Sequence, residues 1–193
     1  MLQAALHSGA AHRKSVFEAF ARRLPDGRRY GIVGGTGRLL EGIADFRFGD
    51  VEIDFLRRTK VVNEETLDYL AGFSFSGDIW GYAEGEAYFP NSPILIVEST
   101  FAEACILETY ILSILNHDSA IASAASRMIT AAGSRPCVEM GSRRTQEESA
   151  VSAARAAIIA GFDSTSNLEA GLRYGLKTVG TASSGASRPS KPE

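Results

Sequence analysis

The run Cys137-Val138-Glu139-Met140-Gly141-Ser142-Arg143-Arg144-Thr145-Gln146-Glu147-Glu148 constrains the fold more than any other stretch. It reads as a short buried strand, a glycine turn carrying two adjacent arginines, and a helix start. The helix start has a capping-box pattern, with Thr145 three residues before Glu148. The Ala-rich segment from Glu147 to Ala160 is helical and stops at Gly161. Ser164 to Asn167 is a polar strand or strand end, Leu168 to Tyr174 a helix ended by Gly175, and Lys177 to Thr181 a third strand. The order from Arg135 onward is therefore β-α-β-α-β with short connections. Such an order specifies a parallel sheet, because each helix returns the chain to start the next strand in the same direction. Only three strands are present, so a barrel built from them is incomplete.

The chain upstream mixes helices and strands. Met1 to Leu6 reads as the end of a helix, and Ser15 to Arg22 and Tyr30 to Gly35 as strands. Gly37 to Phe46 is a helix with Thr36 as N-cap, Val51 to Arg58 one capped by Asp50, and Glu64 to Ala71 one capped by Asn63. Asp78 to Tyr82, Glu86 to Phe89 and Ile94 to Glu98 read as three strands of an antiparallel meander. Thr100 and Glu103 form a capping box before a long helix that runs to Ala132. The fold class is α/β: an α+β N-terminal domain over 1–132, the first part of an incomplete β/α barrel over 133–182, and a tail over 183–193. The tail is expected to be disordered, since it has no apolar residue larger than alanine.

A net charge of −3 leaves no dominant basic face, so nucleic acid is excluded as the main partner. The longest apolar run, Phe101 to Leu115, is interrupted by Glu103 and Glu108 and is too short for a bilayer, so no membrane partner is expected. Met1 to Arg13 lacks the layout of a signal peptide. Cys105 and Cys137 sit in apolar contexts and read as reduced thiols, which favours a cytoplasmic protein.

Arg143 and Arg144 at a strand end read as a phosphate or pyrophosphate site. The alternative is a surface pair bonded to carboxylates such as Glu147. Asn167 and Thr181 end the next two strands, and strand C-termini of a parallel sheet gather on one face. Gly34-Gly35-Thr36-Gly37 lacks the full dinucleotide or P-loop pattern and reads as a structural turn. Glu84 and Glu86 read as solvated acids, and His117 as a packed or interfacial histidine. No spacing fits a zinc site.

Several segments resemble the nicotinate phosphoribosyltransferase family. They are Phe20-Ala21-Arg22-Arg23-Leu24-Pro25, Gly27-Arg28-Arg29-Tyr30-Gly31, Gly81-Tyr82-Ala83-Glu84-Gly85-Glu86, Thr100-Phe101-Ala102-Glu103, Glu139-Met140-Gly141-Ser142-Arg143-Arg144, Ser166-Asn167-Leu168-Glu169-Ala170-Gly171 and Gly180-Thr181. The resemblance runs over about residues 1 to 182 in one register. It implies a type II phosphoribosyltransferase that makes nicotinate mononucleotide from nicotinate and phosphoribosyl pyrophosphate. The reaction is coupled to ATP hydrolysis with Mg2+ and belongs to NAD salvage. The family usually works as a homodimer with active sites at the subunit interface.

Carried over by position, Arg143 and Arg144 hold the phosphates of phosphoribosyl pyrophosphate. Met140 lies beside the pyridine ring, where a related nicotinamide-specific family has an aromatic residue, and Asn167 and Thr181 lie close to nicotinate. No metal ligand is carried over. The departures count too. Ser184 occupies the position of the family's phosphorylated histidine, and serine cannot form the labile phosphoramidate of an imidazole. An aromatic residue that stacks on nicotinate falls just upstream of Met1 in the family's register. The tail from Ser183 onward resembles nothing in the family. The expectation is a portion of the family's chain, truncated at both ends and inactive alone. The alternative is a non-catalytic fragment acting at most as a dimerising or phosphate-binding module.

Overall fold

A computed structural model describes residues 1–180. Thr181, Ser184 and the tail over 183–193, on which three of the sequence expectations fall, lie outside the described residues. The chain divides into two compact units, Met1–Ser123 and Ala124–Glu193. The boundary falls inside a long helix, nine residues before the helix end at Ala132 that the sequence suggested as a domain limit.

In the first unit a helix α1 (Leu2–His7) precedes strand β1 (Lys14–Phe20). Strand β2 (Gly31–Ile32) leads into helices α2 (Thr36–Asp45), α3 (Asp50–Thr59) and α4 (Glu64–Ala71). Strands β3 (Asp78–Gly81), β4 (Ala87–Tyr88) and β5 (Pro93–Thr100) follow, and then α5 (Phe101–Ala132).

The meander expected over 78–98 does not form. β3 pairs antiparallel with β5, and β1 pairs antiparallel with β5 on its other side, giving the order β1-β5-β3. β4 instead pairs antiparallel with β2 in a separate two-stranded sheet. Gly31 suits this pairing: Tyr88 lies buried across it, where a Cβ would run into the tyrosine ring. β2 is two residues long, shorter than the strand read over 30–35.

Two caps also differ from expectation. Gly35 rather than Thr36 precedes α2, and Gly49 rather than Asp50 precedes α3, where the Glu52 carboxylate accepts the Gly49 N–H at 2.9 Å. Asn63 does cap α4, its Oδ1 accepting the Thr66 N–H at 3.1 Å. At α5 the Thr100 hydroxyl accepts the Glu103 N–H at 3.3 Å, but the Glu103 carboxylate does not return to the cap. It takes the hydroxyls of Ser76 and Ser99 instead, so only half of the box forms.

The core of this unit gathers Val33, Leu39, Leu95, Val97, Leu107, Ile111 and Ile114 between the three-stranded sheet, α2 and α5. The loop Gly34–Gly37 is a close-packing device, as its incomplete motif suggested. Ser119 Oγ accepts the Gly34 N–H at 3.1 Å, and Ser123 Oγ accepts the Ile32 N–H at 2.8 Å. A Cβ on Gly34 would stand 3.0 Å from the Asp118 carbonyl oxygen. Glu84, read as solvated, is half-buried and accepts the Gly35 N–H at 2.6 Å. His117 packs against the fully buried Asp118, Nδ1 to Oδ1 at 2.8 Å. Both cysteines are free and half-buried; burial, with Glu108 adding to it, pushes the Cys105 thiol up from its ordinary value.

The second unit holds strand β6 (Val138–Glu139), a single 3-10 turn over Gly141–Arg144, helix α6 (Glu147–Ile159), strand β7 (Ser164–Thr165) and helix α7 (Leu168–Tyr174). β6 and β7 are parallel, Val138 opposite Ser164 and Glu139 opposite Thr165. The third strand expected over 177–181 is reduced, among the described residues, to a parallel bridge between Thr165 and Thr178. The Thr165 N–H donates to Lys177 O at 3.0 Å and the Val179 N–H to Thr165 O at 2.9 Å. The β-α-β-α-β order is therefore realised as parallel pairing at each step. Val151, Ala154 and Ala170 form the small core between α6 and α7, closed by Tyr174 and Leu176. The small side chains of Ala154 on α6 and Ala170 on α7, both fully buried, let the two helices approach closely.

Candidate functional site

β6 ends at Glu139, and the chain then turns through Met140 and the 3-10 segment before α6 begins. The Ser166 N–H donates to Glu139 O at 2.9 Å, which brings the end of β7 beside the start of the turn. Asn167 follows directly as the N-cap of α7. Its Oδ1 accepts the Ala170 N–H at 2.9 Å and its Nδ2 donates to Ser142 Oγ at 3.2 Å. Asn167 thus joins the two strand ends, as the parallel arrangement demanded. Its amide keeps one N–H and one lone pair for another partner. Asn167→Ala should lower the melting midpoint by the loss of about 1 kcal/mol from the cap. A thermal scan that shows no shift would mean that α7 does not depend on it.

Arg143 and Arg144 are exposed, and neither has an ion-pair or hydrogen-bond partner among the described residues. The alternative of a pair bonded to Glu147 is not what the side chains do. The helix start behind them is capped by Gln146, whose Oε1 accepts the Ser149 N–H at 2.9 Å, rather than by Thr145. Met140 is 49% exposed at the head of the turn. Two guanidinium groups without a partner among the described residues and an exposed thioether therefore follow the end of β6, and Ser142 ties their turn to the Asn167 amide at the end of the parallel strand β7. A cationic turn at a strand end of this kind suits an anion.

The sequence did not single out Glu139 as a site residue, although it lies in the run that did. It is buried, with Oε2 accepting the Thr165 hydroxyl at 2.6 Å and Oε1 accepting the Gly141 N–H. An acid inside a strand otherwise apolar was the available signal. A separate cavity of about 460 Å3 opens in the first unit, where Arg22, Arg23 and Arg28 line it together with Tyr30, Tyr88 and Asn116. Four of these six come from segments that carry the resemblance, Phe20–Pro25 and Gly27–Gly31. Among the described residues no cluster of three His, Cys, Asp or Glu side chains is placed to hold a metal ion, and no helix is long and apolar enough to cross a membrane.

Residues 1–116 match the model of the nicotinate phosphoribosyltransferase N-terminal domain. The chain belongs to the nicotinate phosphoribosyltransferase family. It is 59% identical over 182 residues to nicotinate phosphoribosyltransferase pncB1 of Mycobacterium tuberculosis, a match covering 94% of this chain and 40% of that protein. It is 36% identical over 174 residues to the nicotinate phosphoribosyltransferase of Bacillus subtilis, covering 90% of this chain and 36% of that one. The crystal structure of human nicotinic acid phosphoribosyltransferase superposes with a TM-score of 0.87 at 28% identity, over 100% of this chain and 41% of that chain. The chain thus spans about 40% of the length of these relatives. The mixed α/β fold expected from the sequence is the fold of this family.

Proposed function

We propose that the turn Gly141–Arg144 is the pyrophosphate grip of a nicotinate phosphoribosyl transfer, in which nicotinate and phosphoribosyl pyrophosphate give nicotinate mononucleotide and pyrophosphate for NAD salvage. The observation that carries this reading is the pair of exposed arginines, without partners among the described residues, at the end of a parallel strand in a chain of this family. Ribosyl transfer of this kind passes through an oxocarbenium-like state, and the bond to the leaving pyrophosphate loosens before the new bond is complete. Catalysis is then mainly a matter of holding the pyrophosphate and the ring in line and stabilising the growing negative charge. Arg143 and Arg144 supply that charge, Met140 supports the ring, and Asn167 and Thr181 approach the nicotinate. Magnesium, when bound with the polyphosphates, would neutralise part of their charge beside Arg143 and Arg144. The protein works as a cytoplasmic homodimer.

Arg143→Ala should weaken phosphoribosyl pyrophosphate binding by about 1.5–3 kcal/mol, roughly 10- to 150-fold, because a charge-assisted contact is lost. Calorimetric titration checks it. Unchanged affinity would remove Arg143 from the grip. Ser184, at the family's phosphohistidine position, favours a second reading for these 193 residues by themselves, a phosphate-binding module without ATP-coupled turnover. The two readings part in one assay. Nicotinate mononucleotide that forms faster on adding ATP supports the enzyme, whereas binding of phosphoribosyl pyrophosphate with no product supports the module.

A further inference from the structure

We infer that Glu139 and Thr165 are positioning residues that hold the arginine turn in register with the end of β7. The inference rests on the reading of the turn as a pyrophosphate grip, and it concerns two side chains that do not themselves meet the ligand.

The turn has two fixed points. At Gly141 the backbone N–H is taken by Glu139 Oε1. At Ser142 the hydroxyl is held by Asn167 Nδ2 at 3.2 Å. Both points lead to Thr165. Its hydroxyl donates to Glu139 Oε2 at 2.6 Å and accepts the Asn167 N–H at 2.9 Å. One hydroxyl therefore links the acid that fixes the start of the turn to the amide that fixes its next residue. Thr165 is fully buried and Glu139 nearly so, which shields these bonds from competition with water. Gly141 is part of the same device, since a Cβ there would come within 2.8 Å of Glu139 Oε1. The bare backbone is what lets the carboxylate fold back onto its own chain.

The arrangement also decides where charge goes. Glu139 lies four residues before Arg143, close enough in sequence to neutralise it. Both carboxylate oxygens are instead spent on inward donors, and the arginines stay unpaired among the described residues. The acid organises the cationic turn without cancelling it.

Two variants separate this role from a simple charge effect. If Glu139 acted only as a nearby negative charge, Glu139→Gln would tighten binding of an anion. As a positioning residue, its replacement weakens binding, because the amide offers one acceptor where the carboxylate offers two. Thr165→Val keeps the shape and removes the hydroxyl, and Thr165→Ser restores it. The experiment titrates inorganic pyrophosphate into the protein and its variants, and follows amide hydrogen exchange over 141–144 without ligand. Thr165→Val and Glu139→Gln are expected to raise exchange at Gly141 and weaken pyrophosphate about tenfold each, the loss of one buried hydrogen bond, and Thr165→Ser to recover both. Should Thr165→Val lower the melting midpoint, Glu139→Gln carries the test. Unchanged exchange at Gly141 in both variants, or tighter pyrophosphate binding by Glu139→Gln, would overturn the positioning role. An Arg143→Ala variant with unaltered affinity would instead defeat the reading of the turn as a grip, while the exchange data still decide whether Glu139 and Thr165 hold it.

Discussion

Replacing Arg38 by methionine is expected to destabilise the first unit by about 3 kcal/mol, read from the shift in a urea melt. Asp118 has no exposed surface, and the Arg38 guanidinium meets it with both arms, Nε to Oδ2 at 2.8 Å and an Nη2 to Oδ1 at 3.0 Å. Methionine keeps much of the stem and removes the charge. Asp118 is then left in the interior with the His117 ring, at 2.8 Å, as its remaining side-chain partner among the described residues. Breaking a buried pair from one side costs about 3–5 kcal/mol, because the other charge stays behind without compensation. A quarter of the Arg38 side chain is exposed, which places the expectation at the low end. Arg57 with Asp54 and Arg173 with Glu169 are far more exposed, so removing either pair should barely move the melt. A change no larger for Arg38→Met than for Arg173→Met would show that Asp118 is compensated by other means.

Asp118 shows where the sequence stops being legible. It stood beside His117 in a long helix, and nothing local marked it as the partner of a residue 80 positions earlier. The parallel unit was readable because its signals are local. A strand, a glycine turn, an Ala-rich helix and a second capped helix follow within 40 residues, and the helix Leu168–Tyr174 has the bounds its pattern predicts. The failed meander has the opposite cause. Strand patterns over 78–98 say that three strands exist but not which partners they take. β4 instead meets β2, with Tyr88 lying across Gly31, a pairing over 57 positions. The arginine turn was found by its composition, and the acid that shapes it was passed over. Glu139 looks like an isolated charge in sequence, and only the fold brings Thr165 to meet it.

Gly35→Ala is expected to cost about 3 kcal/mol, through two causes that a comparison can separate. Gly35 sits at φ 95°, in the left-handed region, and there a side chain costs about 1–2 kcal/mol. It also has no room. A Cβ would stand 2.9 Å from Ile114 Cγ2 and 3.0 Å from Asp118 Oδ2. Ile114 is buried and Asp118 is held by Arg38, so neither gives way cheaply, and overpacking of this kind costs about 1–3 kcal/mol. Gly27 provides the control. It has φ +78° and nothing within 4 Å of its added Cβ, so Gly27→Ala carries the backbone cost alone. The difference between the two alanine variants measures the crowding against α5. Because Gly35 and Arg38 share Asp118, the double variant with Arg38→Met should lose less than the sum of the single losses: a carboxylate already freed from its arginine can turn away from the new methyl group. Equal losses for Gly35→Ala and Gly27→Ala would show that the loop shifts to admit the methyl. In that case the close approach of the glycine loop to α5 would contribute little to holding β2 and α2 in place.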